Sequence, residues 1–408
     1  MSSLEIFGTC EPGYEPVRDA FIDNFERLDD LGSSVAITHK GKMVVDLWAG
    51  TADETTGAPW QKDTKAVVWS TTKGMVSMCA LKLAEQGKLD LFAPVTDYWP
   101  EYGQNGKENT LVAHMLCQQH GVPVVTEEIP LNGAFDWDLM VGMIERQEPF
   151  YEPGTAVSYS PLLYGWLVGE IVRRVSGKSL GQFFHDEFAA PLGADCWIGL
   201  PADKEGDVAR MTAPPMVFQG DLLDLPGYEI TKIVFTNSGG YTDFSVDEET
   251  GRYRFDTPAA HQAQIGGGGG IANARGLARL YAPWANGGEF EGKRIVSPDT
   301  IARAQSVVAA SLHELTLHQR IRFSMGFHKS WDNRWNPAAA TIFMSEDAFG
   351  FAGNGGSIGF ASPAENLSFG YVMNKMNTAD IFNRAQNVID TVYKMLGYRS
   401  FETGNWIR

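Results

Sequence analysis

The sequence predicts an α/β chain of the α+β type, in which a five-stranded antiparallel sheet is built from both termini, flanked by helices, and interrupted by a large, mainly helical insertion. Three observations predict it. A helix and two strand-like runs open the chain, three strand-like runs and a helix close it, and helical periodicity dominates the long middle.

At the start, Val17, Phe21, Phe25 and Leu28 recur at helical spacing and Gly32 follows the last turn, so residues 16–31 read as an amphipathic helix. Residues 34–38 and 43–48 are rich in strand formers and flank His39-Lys40-Gly41-Lys42, which reads as a hairpin with His39 as a solvated turn residue. At the other end, residues 341–344, 357–361 and 367–373 read as strands. Residues 380–396 read as a helix, with Ile381, Ala385, Val388, Val392 and Leu396 on one face. In between, helices are expected at 73–86, 111–118, 162–175, 180–188 and 274–285, and residues 211–265 form a long segment without clear period, which reads equally as a lid or pocket wall and as a surface excursion. The division that follows is residues 1–68 plus 302–408 as a sheet domain and 69–301 as a helical domain, with the active site at their junction.

Composition narrows the partners. The 408 residues carry 50 acidic against 33 basic side chains, a formal charge of −17, which repels phosphate backbones and argues against nucleic acid. Cys10, Cys79, Cys117 and Cys196 are widely spaced with no zinc pattern, and neither a signal-like leader nor a membrane-length apolar run is visible, so a reducing, cytoplasmic setting without membrane or metal is expected.

Two glycine motifs mislead. The run Gly266 to Gly270 lacks the Lys-Ser/Thr of a phosphate loop and the strand and acid of a dinucleotide fold, so close backbone packing is the expectation. Gly355-Gly356-Ser357-Ile358-Gly359 satisfies G-x-S-x-G, but a nucleophile elbow needs a histidine later in the chain, and the last histidine is His328. Ser357 is expected to be a strand residue. No His-x-x-x-His pair supports a metal, and His120, before Gly121-Val122-Pro123, reads as a structural hydrogen-bonding residue before a catalytic one.

What remains is Ser70-Thr71-Thr72-Lys73, an S-x-x-K at the entrance of a helix that is apolar around most of its circumference. A buried lysine loses its proton easily and can then take the serine's, while the helix N-terminus offers free N–H groups to an oxyanion. On spacing alone, the alternative that Ser70 caps the helix and Lys73 snorkels to solvent stands equally well.

The chain resembles the serine β-lactamase-like hydrolases: class C β-lactamases, penicillin-binding DD-peptidases and, above all, family VIII carboxylesterases. The likeness is carried by Val68-Trp69-Ser70-Thr71-Thr72-Lys73-Gly74, Leu89 to Val95, Tyr151-Glu152-Pro153-Gly154-Thr155, Tyr159-Ser160, Pro191-Leu192-Gly193, Gly267 to Ala274 and Phe349 to Pro363. It implies a β-lactamase/transpeptidase-like fold, Ser70 as nucleophile, Lys73 as its activator, and Tyr159 as proton shuttle, its phenol pushed toward phenolate by the lysine ammonium. It also implies an oxyanion hole from the Ser70 and Asn354 N–H groups, with Phe351, Gly353, Gly355, Trp69 and His120 as pocket candidates. Two departures mark this chain: Pro161 replaces the asparagine of the family's Tyr-x-Asn, and Phe351 replaces a lysine or histidine, which removes the anchor for a β-lactam carboxylate. A small uncharged ester is the expected substrate, with no cofactor; a β-lactam, an amide or D-aminopeptide, acyl transfer, and a non-catalytic scaffold are the alternatives.

Overall fold

The structure, a computed structural model, describes residues 4–212, 225–241, 245–335, 341–377, 381–400 and 406–408. The N-terminal part runs through strand β1 (Ile6–Cys10), helix α1 (Glu15–Arg27), β2 (Gly32–His39), β3 (Lys42–Asp53) and the short β4 (Ala58–Pro59). Pro16 in the first turn and Arg27 in the last suit the ends of α1. Between β2 and β3, Lys40 and Gly41 both take left-handed conformations, φ +52° and +75°, as a tight hairpin requires. His39 is half-buried and bonded through Nδ1 to the Tyr14 hydroxyl rather than simply solvated.

The middle contributes β5 (Ala66–Val67), helix α2 (Thr72–Glu85), helix α3 (Tyr164–Ser176), β6 (Cys196–Ile198), β7 (Gly270–Ala272) and helix α4 (Ala274–Ala285). Helix α2 is buried at every position from Thr72 to Leu81 and again at Leu83, so it threads the core and packs on α3. The glycine run lies against the start of α3. A Cβ on Gly267 would sit 2.1 Å from the Leu162 carbonyl oxygen, and one on Gly165 would sit 2.3 Å from the Gly267 nitrogen. Only backbone fits between α2, α3 and β7. Within the 211–265 segment the described residues form a helix at Glu229–Thr236 and short turns at Arg254–Asp256 and Pro258–Gln262; residues 213–224 and 242–244 lie outside the description.

At the C-terminal end come β8 (Phe349–Ala352), β9 (Ile358–Ser362), β10 (Leu367–Met373) and helix α5 (Asn383–Met395). Residues 378–380, where the sequence starts its last helix, are not described. The sheet has seven strands, in the order β1-β3-β2-β10-β9-β8 with β4 beside β3, so both termini do build it, but the count of five and one strand assignment need correction. Residues 341–344 make only an isolated bridge, Ile342 to Trp331, and the edge strand is Phe-Gly-Phe-Ala at β8. That strand is buried on both faces and shows no alternation, while β1 is mostly exposed and shows none either, so neither carries the period-two signal of a half-buried strand.

The terminal helices α1 and α5 pack together, with Asn24 Nδ2 donating to the Arg384 carbonyl at 3.1 Å and to the Tyr371 hydroxyl of β10 at 3.3 Å. The opposite face is covered by α4, which belongs in sequence to the middle; Ser368 Oγ of β10 donates to the Ala278 carbonyl at 2.7 Å. Among the described residues no helix is long and apolar enough to cross a membrane.

The glycine packing is testable. Replacing Gly267 by alanine forces a methyl into the Leu162 carbonyl, so the urea midpoint should fall by the equivalent of about 1–3 kcal/mol. A midpoint equal to the parent's would show that α3 retreats freely.

Candidate active site

Ser70 lies in a single 3-10 turn, Trp69–Thr71, that runs directly into α2. Trp69 before it is held at φ +47°, a conformation that a large side chain adopts only when its surroundings impose it. Those surroundings are a set of short bonds. Thr72 Oγ1 donates to the Trp69 carbonyl at 2.5 Å and accepts the Gly270 N–H at 2.9 Å, and the Val68 N–H meets the Gly270 carbonyl at 2.9 Å. Ser357 is not in the strand but in the residue before β9. Its hydroxyl donates to the Val68 carbonyl at 2.7 Å and meets Thr71 Oγ1 at 3.1 Å, which ties the Ser70 turn to the sheet edge.

Three side chains meet at one oxygen. Lys73 Nζ is 2.9 Å and Tyr159 Oη 2.7 Å from Ser70 Oγ. Lys73 is fully buried, so the snorkelling alternative fails, and its Nζ also donates to the carbonyls of Pro161, at 2.6 Å, and Gly267. The Pro161 backbone thus supplies a lysine contact where the side-chain amide of an asparagine is missing. Burial holds the Lys73 amine well below its ordinary range. Burial also pushes the Tyr159 phenol up, against the Ser70 hydrogen bond and with Glu314 adding to it, which runs opposite to the shift toward phenolate expected beside a lysine ammonium. A neutral amine has two N–H groups and one lone pair. Such an amine can give its N–H groups to the two carbonyls and keep its lone pair for the Ser70 hydroxyl 2.9 Å away.

The other expected residues divide. Asn354 stands in the turn between β8 and β9, and among the described residues no acceptor takes the backbone N–H of either Ser70 or Asn354. Phe351 is buried, with its ring centroid 5.9 Å from Lys73 Nζ. The Trp69 ring packs on Phe255, centroids 4.5 Å apart. Gly353 touches the site through backbone: a Cβ there would lie 2.2 Å from the Val68 oxygen and 2.3 Å from Ser357 Oγ. Gly355 instead abuts the core side chains Met373 and Met376, and His120 is buried, neutral with its pKa pulled to about 3 by burial, and bonded locally, its Nδ1 accepting the Val122 N–H at 3.0 Å. Neither makes a hydrogen bond with Ser70, Lys73 or Tyr159.

The sequence reading missed three neighbours. His328, dismissed only as the last histidine, stacks on Phe351 with centroids 3.9 Å apart and lies 6.0 Å from the Tyr159 ring. Gln118 accepts the N–H groups of Ser158 and Ser160 on either side of Tyr159, and Glu314 accepts that of Tyr159 itself. No local motif marks them, because they reach the site from separate loops.

Fold and site together describe a serine hydrolase architecture with Ser70 at the head of a buried helix. Residues 21–393 match the Beta-lactamase family, and the chain belongs to that family. It is 30% identical over 380 residues, 91% of this chain and 83% of the other, to the esterase/beta-lactamase LipL of Mycobacterium tuberculosis. Among solved structures it resembles a family VIII carboxylesterase (35% identity, TM-score 0.81, covering 96% of this chain and 100% of that one). A penicillin-binding protein homologue from Caulobacter crescentus is similar at 30% identity, with a TM-score of 0.81 over 96% of this chain and 100% of that one. The fold is the β-lactamase/transpeptidase-like one.

Ser357 and Ser70 are separable by experiment. Ser357→Ala should cost about 1–3 kcal/mol in urea unfolding, because it leaves the buried Val68 carbonyl without its donor, while a fluorophosphonate probe still labels the protein. Loss of labelling with an intact fold would make Ser357 the reactive serine.

Proposed function

We propose that this protein is a serine carboxylesterase that hydrolyses small uncharged esters through an acyl-enzyme on Ser70. The observation that carries the reading is the Ser70 hydroxyl held between the buried Lys73 amine and the Tyr159 phenol. Lys73 takes the Ser70 proton as Oγ attacks the ester carbonyl. The tetrahedral oxyanion lies against the Ser70 and Asn354 N–H groups, which are free to donate to it. Tyr159 then donates its proton to the departing alcohol and regains one from the Lys73 ammonium. Water enters and attacks the acyl carbonyl as it gives one proton to the same pair, and the tetrahedral intermediate then expels Ser70 Oγ, which takes that proton back as the acid leaves. No step calls on a cofactor or a metal.

The substrate class follows from the wall of the site. Phe351 and the His328 ring stacked on it stand beside Lys73 and Tyr159, and burial holds the imidazole well below its ordinary range, so neither ring offers a β-lactam carboxylate a cation. The family VIII carboxylesterase that the chain resembles supports an ester substrate, while LipL is described as both esterase and β-lactamase. Nucleic acid fits poorly against a formal charge of −17, and the four free cysteines agree with a reducing cytoplasm.

Ser70→Ala should lower hydrolysis of p-nitrophenyl acetate and butyrate by about a thousandfold or more at unchanged folding; retained turnover would overturn the assignment. A chromogenic cephalosporin should be turned over far more slowly than these esters, and the reverse order would replace esterase by β-lactamase.

The pH profile has a definite sign. Lys73 must be neutral to accept the proton, and burial lowers its pKa, so kcat/KM should fall as pH drops through that lowered pKa and reach its plateau well below pH 10.5. A profile still climbing at pH 10.5 would show an exposed, ordinary lysine.

A further inference from the structure

Residues 155–160 have no regular secondary structure, yet they carry the phenol that must meet Ser70 Oγ within 2.7 Å. In an extended chain successive N–H groups point to opposite sides. Here each side has its own acceptor. The Ser158 N–H donates to the Gln118 carbonyl at 3.0 Å and the Ser160 N–H to Gln118 Oε1 at 2.9 Å, while the Tyr159 N–H between them donates to Glu314 Oε2 at 2.9 Å. Both Gln118 and Glu314 are completely buried.

Each acceptor is itself fixed. Gln118 has φ +61°, a left-handed turn that lets one residue present its backbone and its side-chain oxygen to two alternate N–H groups of the same strand. Glu314 also accepts the N–H groups of Thr316, at 3.0 Å, and Leu317. Its loop is stitched to the tyrosine strand by Leu315 N–H to the Val157 carbonyl, 3.1 Å, and by Ser158 Oγ to Thr316 Oγ1, 2.7 Å. A buried carboxylate with charge-assisted backbone bonds is a stiff support.

We propose that Gln118 and Glu314 are positioning residues for acyl transfer, a two-sided clamp on three consecutive backbone N–H groups that sets the Tyr159 hydroxyl on Ser70. The proposal rests on the esterase reading above. Neither residue touches the reacting atoms, so their effect is on the chemical step and not on substrate binding.

The test compares Gln118→Met, which keeps the shape and removes the acceptor, with Gln118→Glu, which keeps an oxygen there, and adds Glu314→Gln. For each, kcat and KM for p-nitrophenyl butyrate, the rate of fluorophosphonate labelling of Ser70 and the unfolding midpoint are measured. The clamp predicts that Gln118→Met and Glu314→Gln lose about ten- to a hundredfold in kcat and in labelling rate with KM within about twofold, and that Gln118→Glu recovers most of the loss. Equal kcat in Gln118→Met and the parent, or equal losses in Gln118→Met and Gln118→Glu, would overturn it, as would losses that follow only the unfolding midpoint. If Glu314→Gln does not fold, the Gln118 pair decides. The esterase reading fails separately: in that case the parent and Ser70→Ala are alike in turnover and labelling.

Discussion

The site depends on one amine held out of bulk solvent. Lys73 sits in the first turn of a helix with hardly an exposed position until its last turns, and its nitrogen is bounded by the Ser70 hydroxyl, the Pro161 carbonyl and the Gly267 carbonyl. An ammonium there would lose its hydration, and two carbonyls and a hydroxyl repay only part of it, so the neutral form is favoured. The same loss of solvation keeps Tyr159 a phenol. A base and an acid are thus prepared by one cause.

Much of the surrounding architecture serves that burial. The glycine run brings the Gly267 carbonyl to the lysine because neither Gly165 nor Gly267 has room for a side chain, and the turn after Tyr159 supplies the second carbonyl. The sheet edge at β8 and the Ser357 hydroxyl hold the Ser70 turn from the other side. Trp69 in a left-handed conformation shows that the turn is constrained by its contacts rather than by local preference.

How far the site was readable differs residue by residue. S-x-x-K carries its own geometry, since residues three apart share a helix face, and the helix's apolar circumference makes a buried Lys73 as good a reading as a snorkelling one, between which the packing decides. Tyr159 has no such local signature and entered through family resemblance. Gln118, Glu314 and His328 were invisible because their partners lie in other loops: Glu314 meets a backbone N–H 155 positions away. The edge strand at β8 was hidden for a related reason, its residues being buried on both faces so that no alternation survives.

The sequence by itself determined the helices with a polar and an apolar face, the hairpin turn, the glycine run as a place for backbone only, and the serine and lysine spacing, because each is set by neighbours within a turn or two. Tertiary structure decided the protonation of Lys73 and Tyr159, the replacement of a missing asparagine amide by the Pro161 carbonyl, the pairing of Phe351 with His328, and which face of the sheet α4 covers. Those depend on desolvation and on contacts between distant segments. A pKa or a pocket wall belongs to the packed assembly, and no local pattern encodes it.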